Sequence, residues 1–140
     1  MIRRQMTFPV APDRLWTELT DADAASEWMG ARVDWALIPG GPARFEEEDG
    51  RRWTGRVDEV EPNRRLRFRW WPDDGEGSPS EVTYDLSPEP DGTQLTVTER
   101  PLAEAPTASA ARAQAETWSA WDTRLLGTWA RAAAWSEIRA

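Results

Sequence analysis

The sequence predicts a single α+β domain in which an antiparallel sheet packs against a long C-terminal helix. Three features predict it: an alternating segment at the N-terminus, six short alternating segments joined by turns, and a final proline-free stretch rich in alanine, arginine and tryptophan. The 140 residues are enough for one hydrophobic core and too few for two, so the expected domain spans residues 1–140.

One strand and two short helices account for the first 30 residues. The strand has a period of two. One parity of this half-buried strand is occupied by Ile2, Arg4, Met6, Phe8 and Val10. A helix is predicted from Pro12, because proline suits a first helical turn, and Leu15, Trp16 and Leu19 form its apolar stripe. A second helix is predicted from Asp21 or Asp23 to Gly30, with Trp28 packed inward.

Six strand-like segments joined by short turns follow, which is typical of an antiparallel meander. Their apolar residues alternate with polar ones over residues 33–37, 43–47, 53–57, 66–70, 82–86 and 95–99. Turns are indicated by Pro39-Gly40-Gly41-Pro42, Asp49-Gly50, Glu61-Pro62-Asn63 and the segment 88–92. We interpret the acidic residues 46–49 as a solvated hairpin end, because they lack the ligand spacing of a calcium loop.

A long helix is predicted from about Ser109 onward, because the residue types there favour helix and no proline interrupts them. Its apolar residues are spaced by three and four, which places them on one stripe. The stripe comprises Trp118, Trp121, Leu125, Trp129 and Ala132. Nearly 30 residues at about 1.5 Å each would reach across a whole sheet.

The residue types that are absent exclude most catalytic chemistry. The chain has no cysteine, histidine or lysine, which removes thiolate nucleophiles, imidazole bases, Schiff bases and the usual zinc ligands. Carboxylates, arginines, hydroxyls and one tyrosine remain. We therefore assign no catalytic residue, no cofactor and no metal site.

The charge and hydropathy pattern narrows the partners and the compartment. A net charge of −8 disfavours nucleic acid and anionic membranes, because such partners are bound by clustered cations. No apolar run approaches the roughly 20 residues that cross a bilayer. The N-terminus lacks the apolar centre of an export signal, so we expect a cytoplasmic protein.

The order of these segments resembles the helix-grip (START/Bet v 1-like, SRPBCC) superfamily, and within it the bacterial relatives of the activator of Hsp90 ATPase C-terminal domain. The resemblance covers nearly the whole chain. It is carried by residues 11–16, Trp28, Pro39-Gly40-Gly41, Phe45, residues 55–62, Leu66, Trp70, Gly92-Thr93, Leu95, Trp118 and Leu125. It implies a curved antiparallel sheet wrapped around the long C-terminal helix, with space between them that is often a ligand cavity.

A ligand cavity between the sheet and this helix would be lined by aromatic residues, which suit a flat or lipid-like molecule. The alternative for each single tryptophan is that it only fills the core. The expected cavity residues are Phe45, Glu47, Trp53, Phe68, Trp70, Tyr84, Glu99, Trp118, Trp121, Asp122, Leu125 and Trp129.

Three carboxylates fall among the apolar positions: Glu47, Glu99 and Asp122. Facing an apolar cleft, they could bind or protonate a ligand. The general rarity of buried charges favours the alternative that they lie where the cleft opens to water. Arg56 and Arg69 have the opposite parity and are expected to face solvent or the terminal helices.

Three functions remain open from the sequence. The first is a non-enzymatic module that binds a small hydrophobic or amphipathic molecule in the cavity. The second is a protein-interaction module, linked to stress or to a chaperone, that uses an exposed aromatic patch; a homodimer or a protein partner belongs to this alternative. The third is a cyclase or hydrolase with Glu47, Glu99, Asp122 or Tyr84 as acid or base.

Overall fold

The structure is a computed structural model, and it describes residues 2–75 and 79–102. These residues form seven strands and two helices in the order β-α-α-β6. The elements are β1 (Ile2–Phe8), α1 (Pro12–Thr20), α2 (Ala22–Met29), β2 (Ala31–Trp35), β3 (Pro42–Glu47), β4 (Arg52–Glu61), β5 (Arg65–Pro72), β6 (Ser80–Glu89) and β7 (Gly92–Pro101). The predicted α+β class and the order of these elements are confirmed, whereas the predicted C-terminal helix lies outside the described residues.

All seven strands join one curved antiparallel sheet in the order β1-β7-β6-β5-β4-β3-β2. The strands β2 to β7 are neighbours in sequence, as a meander requires. β1 pairs with β7 instead, so β1 and β2 form opposite edges of the sheet. The helices α1 and α2 connect these two edges, which places them across the sheet.

Local sequence signals set the limits of both helices. Pro12 stands at the start of α1, as expected. The Asp21 carboxylate accepts a hydrogen bond from the Ala24 backbone N–H at 3.1 Å and caps α2. Gly30 ends α2 in the left-handed conformation with φ of 66°, which glycine adopts without steric cost.

One face of the sheet is buried against the two helices, and we call it the inner face. Along β5, buried Leu66, Phe68 and Trp70 alternate with half-buried arginines. The side chains of Leu15 and Leu19 from α1 join the same core and are fully buried. Burying this continuous apolar surface is the main stabilisation of the domain.

The opposite, outer face is polar and carries cross-strand ion pairs. Arg69 makes two hydrogen bonds to Asp58, at 2.9 and 3.0 Å. Asp58 is the additional residue of a β-bulge between Val57 and Glu59, which the alternation in the sequence did not predict. Arg69 has the opposite parity to the core residues, as expected, and ion pairs at a protein surface typically contribute only about 0–1 kcal/mol each.

The Gly40-Gly41 segment forms the predicted turn and fastens it to β4. The Gly40 backbone N–H donates to the Val57 carbonyl at 2.7 Å, and the Val57 N–H donates to the Gly41 carbonyl at 2.8 Å. A Cβ atom at Gly41 would lie 2.1 Å from the Ala36 carbonyl oxygen, so no other residue fits without a backbone shift. Within the described part of the chain, neither helix has the length and apolar character that spanning a membrane requires.

Trp28 tests the packing of α2 on the sheet. Its side chain is 2% exposed and its ring lies 6.1 Å from that of Tyr84. Trp28→Ala should lower the free energy of unfolding by about 3–5 kcal/mol, because it removes buried area and leaves a cavity. Chemical denaturation measures the loss, with Trp71→Ala on the outer face as the matched control. Equal, small losses in both variants would contradict the assignment of Trp28 to the core.

Candidate functional site

The inner face carries a continuous set of touching aromatic rings, which we call the aromatic wall. Its members are Trp28, Trp35, Phe45, Trp53, Phe68, Trp70 and Tyr84. The strand register produces it, because Phe45 pairs with Trp53 and the next inner position of β5 brings Trp70 beside both. The ring centroids of Trp53 and Trp70 are 4.7 Å apart in a stacked arrangement, and Phe45 meets Trp70 edge-on at 5.3 Å.

Gly55 lies beneath the centre of the aromatic wall and leaves space there for the rings. It pairs with Trp70 on one side and with Ala43 on the other. A Cβ atom at this position would lie 2.5 Å from the Arg69 carbonyl oxygen and 3.4 Å from atoms of both Phe45 and Trp70. The absence of a side chain therefore lets two large rings meet above a close-packed backbone.

Polar groups contact the solvent-exposed end of the aromatic wall. This end is Trp53, whose side chain is half-buried. Its indole Nε1 donates a hydrogen bond to Glu47 Oε1 at 3.1 Å. The Arg51 guanidinium lies 4.7 Å from the centre of the Trp53 ring, in cation–π geometry. This end of the wall reaches solvent, and its two charged neighbours are of opposite sign.

The opposite, buried end of the aromatic wall contains a carboxylate, Glu99, which is 3% exposed. Glu99 pairs with Val82 in the sheet, so its side chain is on the inner face. Trp70 Nε1 donates a hydrogen bond to Glu99 Oε2 at 2.9 Å. Removing a charge from water is costly, so a carboxylate is an uncommon residue at a buried position.

Tyr84 lies beside Glu99 on the neighbouring strand, one inner position along from Val82. Its side chain is fully buried, and its hydroxyl makes no hydrogen bond to any part of the chain that the structure describes. Burial raises the pKa of Tyr84 far above its ordinary value of 10.0, and the negative charge of Glu99 raises it further. Tyr84 therefore stays protonated and can donate a hydrogen bond.

The structure brings together all the sequence-predicted site residues that it describes. Phe45, Glu47, Trp53, Phe68, Trp70, Tyr84 and Glu99 all lie on the inner face. Glu47 is half-buried near the solvent-exposed end, whereas Glu99 is buried and does not lie where the face opens to water. The remaining predicted residues, Trp118, Trp121, Asp122, Leu125 and Trp129, lie outside the described residues.

Two members of the aromatic wall, Trp28 and Trp35, were not among the expected cavity residues. Trp35 contacts Phe45 and Phe68, with ring centroids 5.9 and 5.7 Å apart, and Trp28 contacts Tyr84. Trp35 shares the parity of Val33, which is the signal that could have placed it on the wall. Its indole Nε1 also donates to the Thr20 carbonyl at 2.8 Å, which connects β2 to the end of α1.

A groove outside the aromatic wall is rich in carboxylates but shows no built metal site. It has a volume of about 660 Å³ and lies between α2 and the β3–β4 hairpin end, lined by Asp23, Glu27, Glu46, Glu47 and Glu48 among others. No group of three or more acidic residues in the described ranges has the geometry to hold a metal ion. The acidic residues 46–49 form the predicted hairpin end, with Gly50 at a φ of 90°.

The antiparallel sheet, the two helices that join its edges and the aromatic inner face define a helix-grip protein of the START/Bet v 1-like superfamily. Residues 9–128 match the family described as "Activator of Hsp90 ATPase homolog 1-like protein", and the chain belongs to this family. The resemblance found in the sequence is therefore confirmed. No relative among curated proteins matches the chain.

Several solved structures are similar to the chain. DynU16, a protein in the dynemicin biosynthetic locus, is 29% identical with a TM-score of 0.75; the match covers 89% of this chain but 45% of DynU16, so the chain spans less than half of that protein. CalU16 from Micromonospora echinospora is 25% identical with a TM-score of 0.67, over 91% of this chain and 73% of CalU16. The Aha1 dimer from Colwellia psychrerythraea, at 18% identity, a TM-score of 0.69 and 91% and 92% coverage, is similar in fold alone.

The burial of Tyr84 predicts its behaviour in alkali. Because its pKa in the folded state is raised above 10.0, the folded chain keeps a proton that the unfolded chain loses. This contribution to stability is complete below pH 10.0 and decreases as the pH rises above it. Tyr84 is the only tyrosine, so ultraviolet titration reports it alone, and tyrosinate should form only as the protein unfolds.

The control for this titration is the protein in concentrated denaturant, where tyrosinate should form at the ordinary pKa of a solvated tyrosine, about 10. Near-ultraviolet circular dichroism follows the folded fraction in parallel. Tyrosinate forming near that same pH while the tertiary signal is intact would show that solvent reaches the hydroxyl, and would contradict the description of this end of the wall.

Proposed function

We propose that the protein binds a small hydrophobic or amphipathic molecule against its aromatic wall. The observation that carries this proposal is Glu99, a carboxylate that is 3% exposed among aromatic rings and is held by Trp70. Ligand sites are typically apolar surfaces with a few well-placed polar groups, and the wall has this composition.

The cost of burying a carboxylate favours a role of Glu99 in ligand binding over a role in packing alone. Removing a charge from water costs several kcal/mol, and a well-packed apolar residue at the same position would often be more stable even where the charge is hydrogen-bonded. A chain selected only for stability would favour an apolar residue at position 99, next to Val97 and Val82 on the same face, together with a residue at position 70 that has no N–H to donate.

The half-buried end of the wall supports access from solvent. Trp53 continues the stacked rings outward from Trp70, and Glu47 and Arg51 hold it there through a hydrogen bond and a cation–π contact. The wall can therefore be reached from solvent at Trp53. The likeness to DynU16, which belongs to a biosynthetic locus, supports a small organic molecule as the ligand class.

A protein-interaction function has less support in the described ranges. Their exposed large hydrophobic residues are Ile38 at 62% and Leu102 at 42%. Ile38 lies in the β2–β3 connection and Leu102 follows β7, so they do not form one patch. Single exposed hydrophobic residues are ordinary on soluble proteins and do not mark a docking surface.

Two tryptophans on opposite faces provide a matched test with the uncharged dye Nile red. Trp53→Leu should weaken binding of the dye by about two- to tenfold, because an aromatic contact contributes about 0.5–1.5 kcal/mol beyond its buried area. Trp71 pairs with Thr54 on the outer face, and Trp71→Leu should leave binding unchanged. Dye emission and quenching of tryptophan emission both measure the dissociation constant.

Both variants should first be shown by circular dichroism to be folded, so that a loss of affinity is not a loss of structure. Absence of dye binding to the unmodified protein would count against the ligand function and favour a protein partner. An equal loss of dye affinity in Trp53→Leu and Trp71→Leu would contradict the assignment of the site to the inner face.

A further inference from the structure

We propose that Tyr84 donates a hydrogen bond to an uncharged acceptor of the ligand, such as the carbonyl oxygen of a flat aromatic ketone, and that the site discriminates against anions. This inference rests on the proposed function and specifies the ligand class of the same site. It depends on the buried hydroxyl of Tyr84, on the charge of Glu99 beside it and on the ring geometry around both.

The first step is the hydroxyl itself. Nearly all buried polar atoms in proteins have a hydrogen-bond partner, and a buried group without one costs about 1–3 kcal/mol. The Tyr84 hydroxyl has none within residues 2–75 and 79–102. Phenylalanine would fill the same volume without that cost. A ligand atom that accepts a hydrogen bond from the hydroxyl would offset the cost and explain why a tyrosine occupies this position.

The second step concerns charge. Burial first, and the negative charge of Glu99 beside it second, raise the pKa of Tyr84, so both disfavour an anion at the phenol oxygen. A ligand carboxylate or sulfonate bound at that oxygen would meet the same field and the same apolar surroundings. A neutral carbonyl oxygen accepts the hydrogen bond without adding a second negative charge.

The third step concerns shape. The rings nearest Tyr84 stand at steep angles to it, with Phe68 at 88° and 5.8 Å and Trp28 at 57° and 6.1 Å. Farther along, Trp70 and Trp53 stack at 30°. Ring faces and edges in this arrangement favour planar aromatic ligands over flexible alkyl chains, because edge-to-face and offset contacts are the preferred aromatic geometries.

The test uses three naphthalenes of similar size: methyl naphthyl ketone, ethylnaphthalene and naphthoate. Their dissociation constants are measured by quenching of tryptophan emission at neutral pH. The ketone should bind about three- to tenfold more tightly than ethylnaphthalene, the range expected for one net hydrogen bond. Naphthoate should bind more weakly than either.

Two substitutions then separate the hydroxyl from the charge. Tyr84→Phe should abolish the advantage of the ketone over ethylnaphthalene, with a melting temperature equal to or above that of the parent. Glu99→Gln removes the charge, while its amide oxygen can still accept from Trp70, so it should improve naphthoate binding more than ketone binding and narrow the difference between the two.

Three results would overturn the inference. A ketone advantage that persists in Tyr84→Phe would assign the polar contact to another group. Equal binding of ketone and ethylnaphthalene to the parent would show that the hydroxyl bonds to water or to another part of the protein. Naphthoate binding as tightly as the ketone would refute the discrimination against anions. Because these results require binding, they are distinct from failure of all three compounds to bind, which would refute the proposed function as well.

Discussion

The edge strands β1 and β2 are separated in sequence only by the helices α1 and α2. Because they lie at opposite edges of the sheet, the connection between them has to cross it. β1 lies beside β7 at one edge and β2 lies at the other, and α1 and α2 connect them. The helices consequently cover part of the inner face and define which face is buried. This topology brings Trp28 of α2 against Tyr84 of β6, and it brings the Trp35 indole to the carbonyl of Thr20.

The sheet register then determines which rings meet. Neighbouring antiparallel strands place directly paired residues on the same face, so inner positions of β3, β4 and β5 converge on Trp70. Gly55 leaves the space that this convergence needs. The bulge at Asp58 shifts the register by one residue, so that both Val57 and Val60 pair with inner residues of β5, namely Phe68 and Leu66. Without the additional residue, Val60 would fall on the outer face.

Much of this fold could be predicted from the sequence because its signals are local. The alternation in β5 and β7, the proline at the start of α1 and the glycine at the end of α2 each act within a few residues. Parity alone also placed the predicted site residues of the strands on one face. The bulge at Asp58 was not predictable, because one additional residue can be recognised only once the partner strand is known.

The burial of Glu99 was not predictable either, and the reason is physical. A carboxylate near the end of a strand normally faces water, and the pattern of β7 alone does not distinguish an exposed end from a covered one. Glu99 instead accepts a hydrogen bond from Trp70, which is 29 residues away in sequence and donates to it across the intervening strand β6. Long-range pairing of this kind is absent from any short window of sequence.

The buried polar groups of the aromatic wall lower the free energy of unfolding of the domain. Replacing Tyr84 by phenylalanine would remove a hydroxyl without a described partner, and replacing Glu99 together with its donor Trp70 by apolar residues would remove a buried charge and its hydrogen bond; both changes tend to stabilise a core. Replacing Glu99 alone would leave the Trp70 indole without its acceptor, so the two polar side chains of this hydrogen bond have to change together. A site of this composition therefore persists only where something besides stability maintains it, and a ligand that bonds to Tyr84 would return part of the lost free energy when it binds.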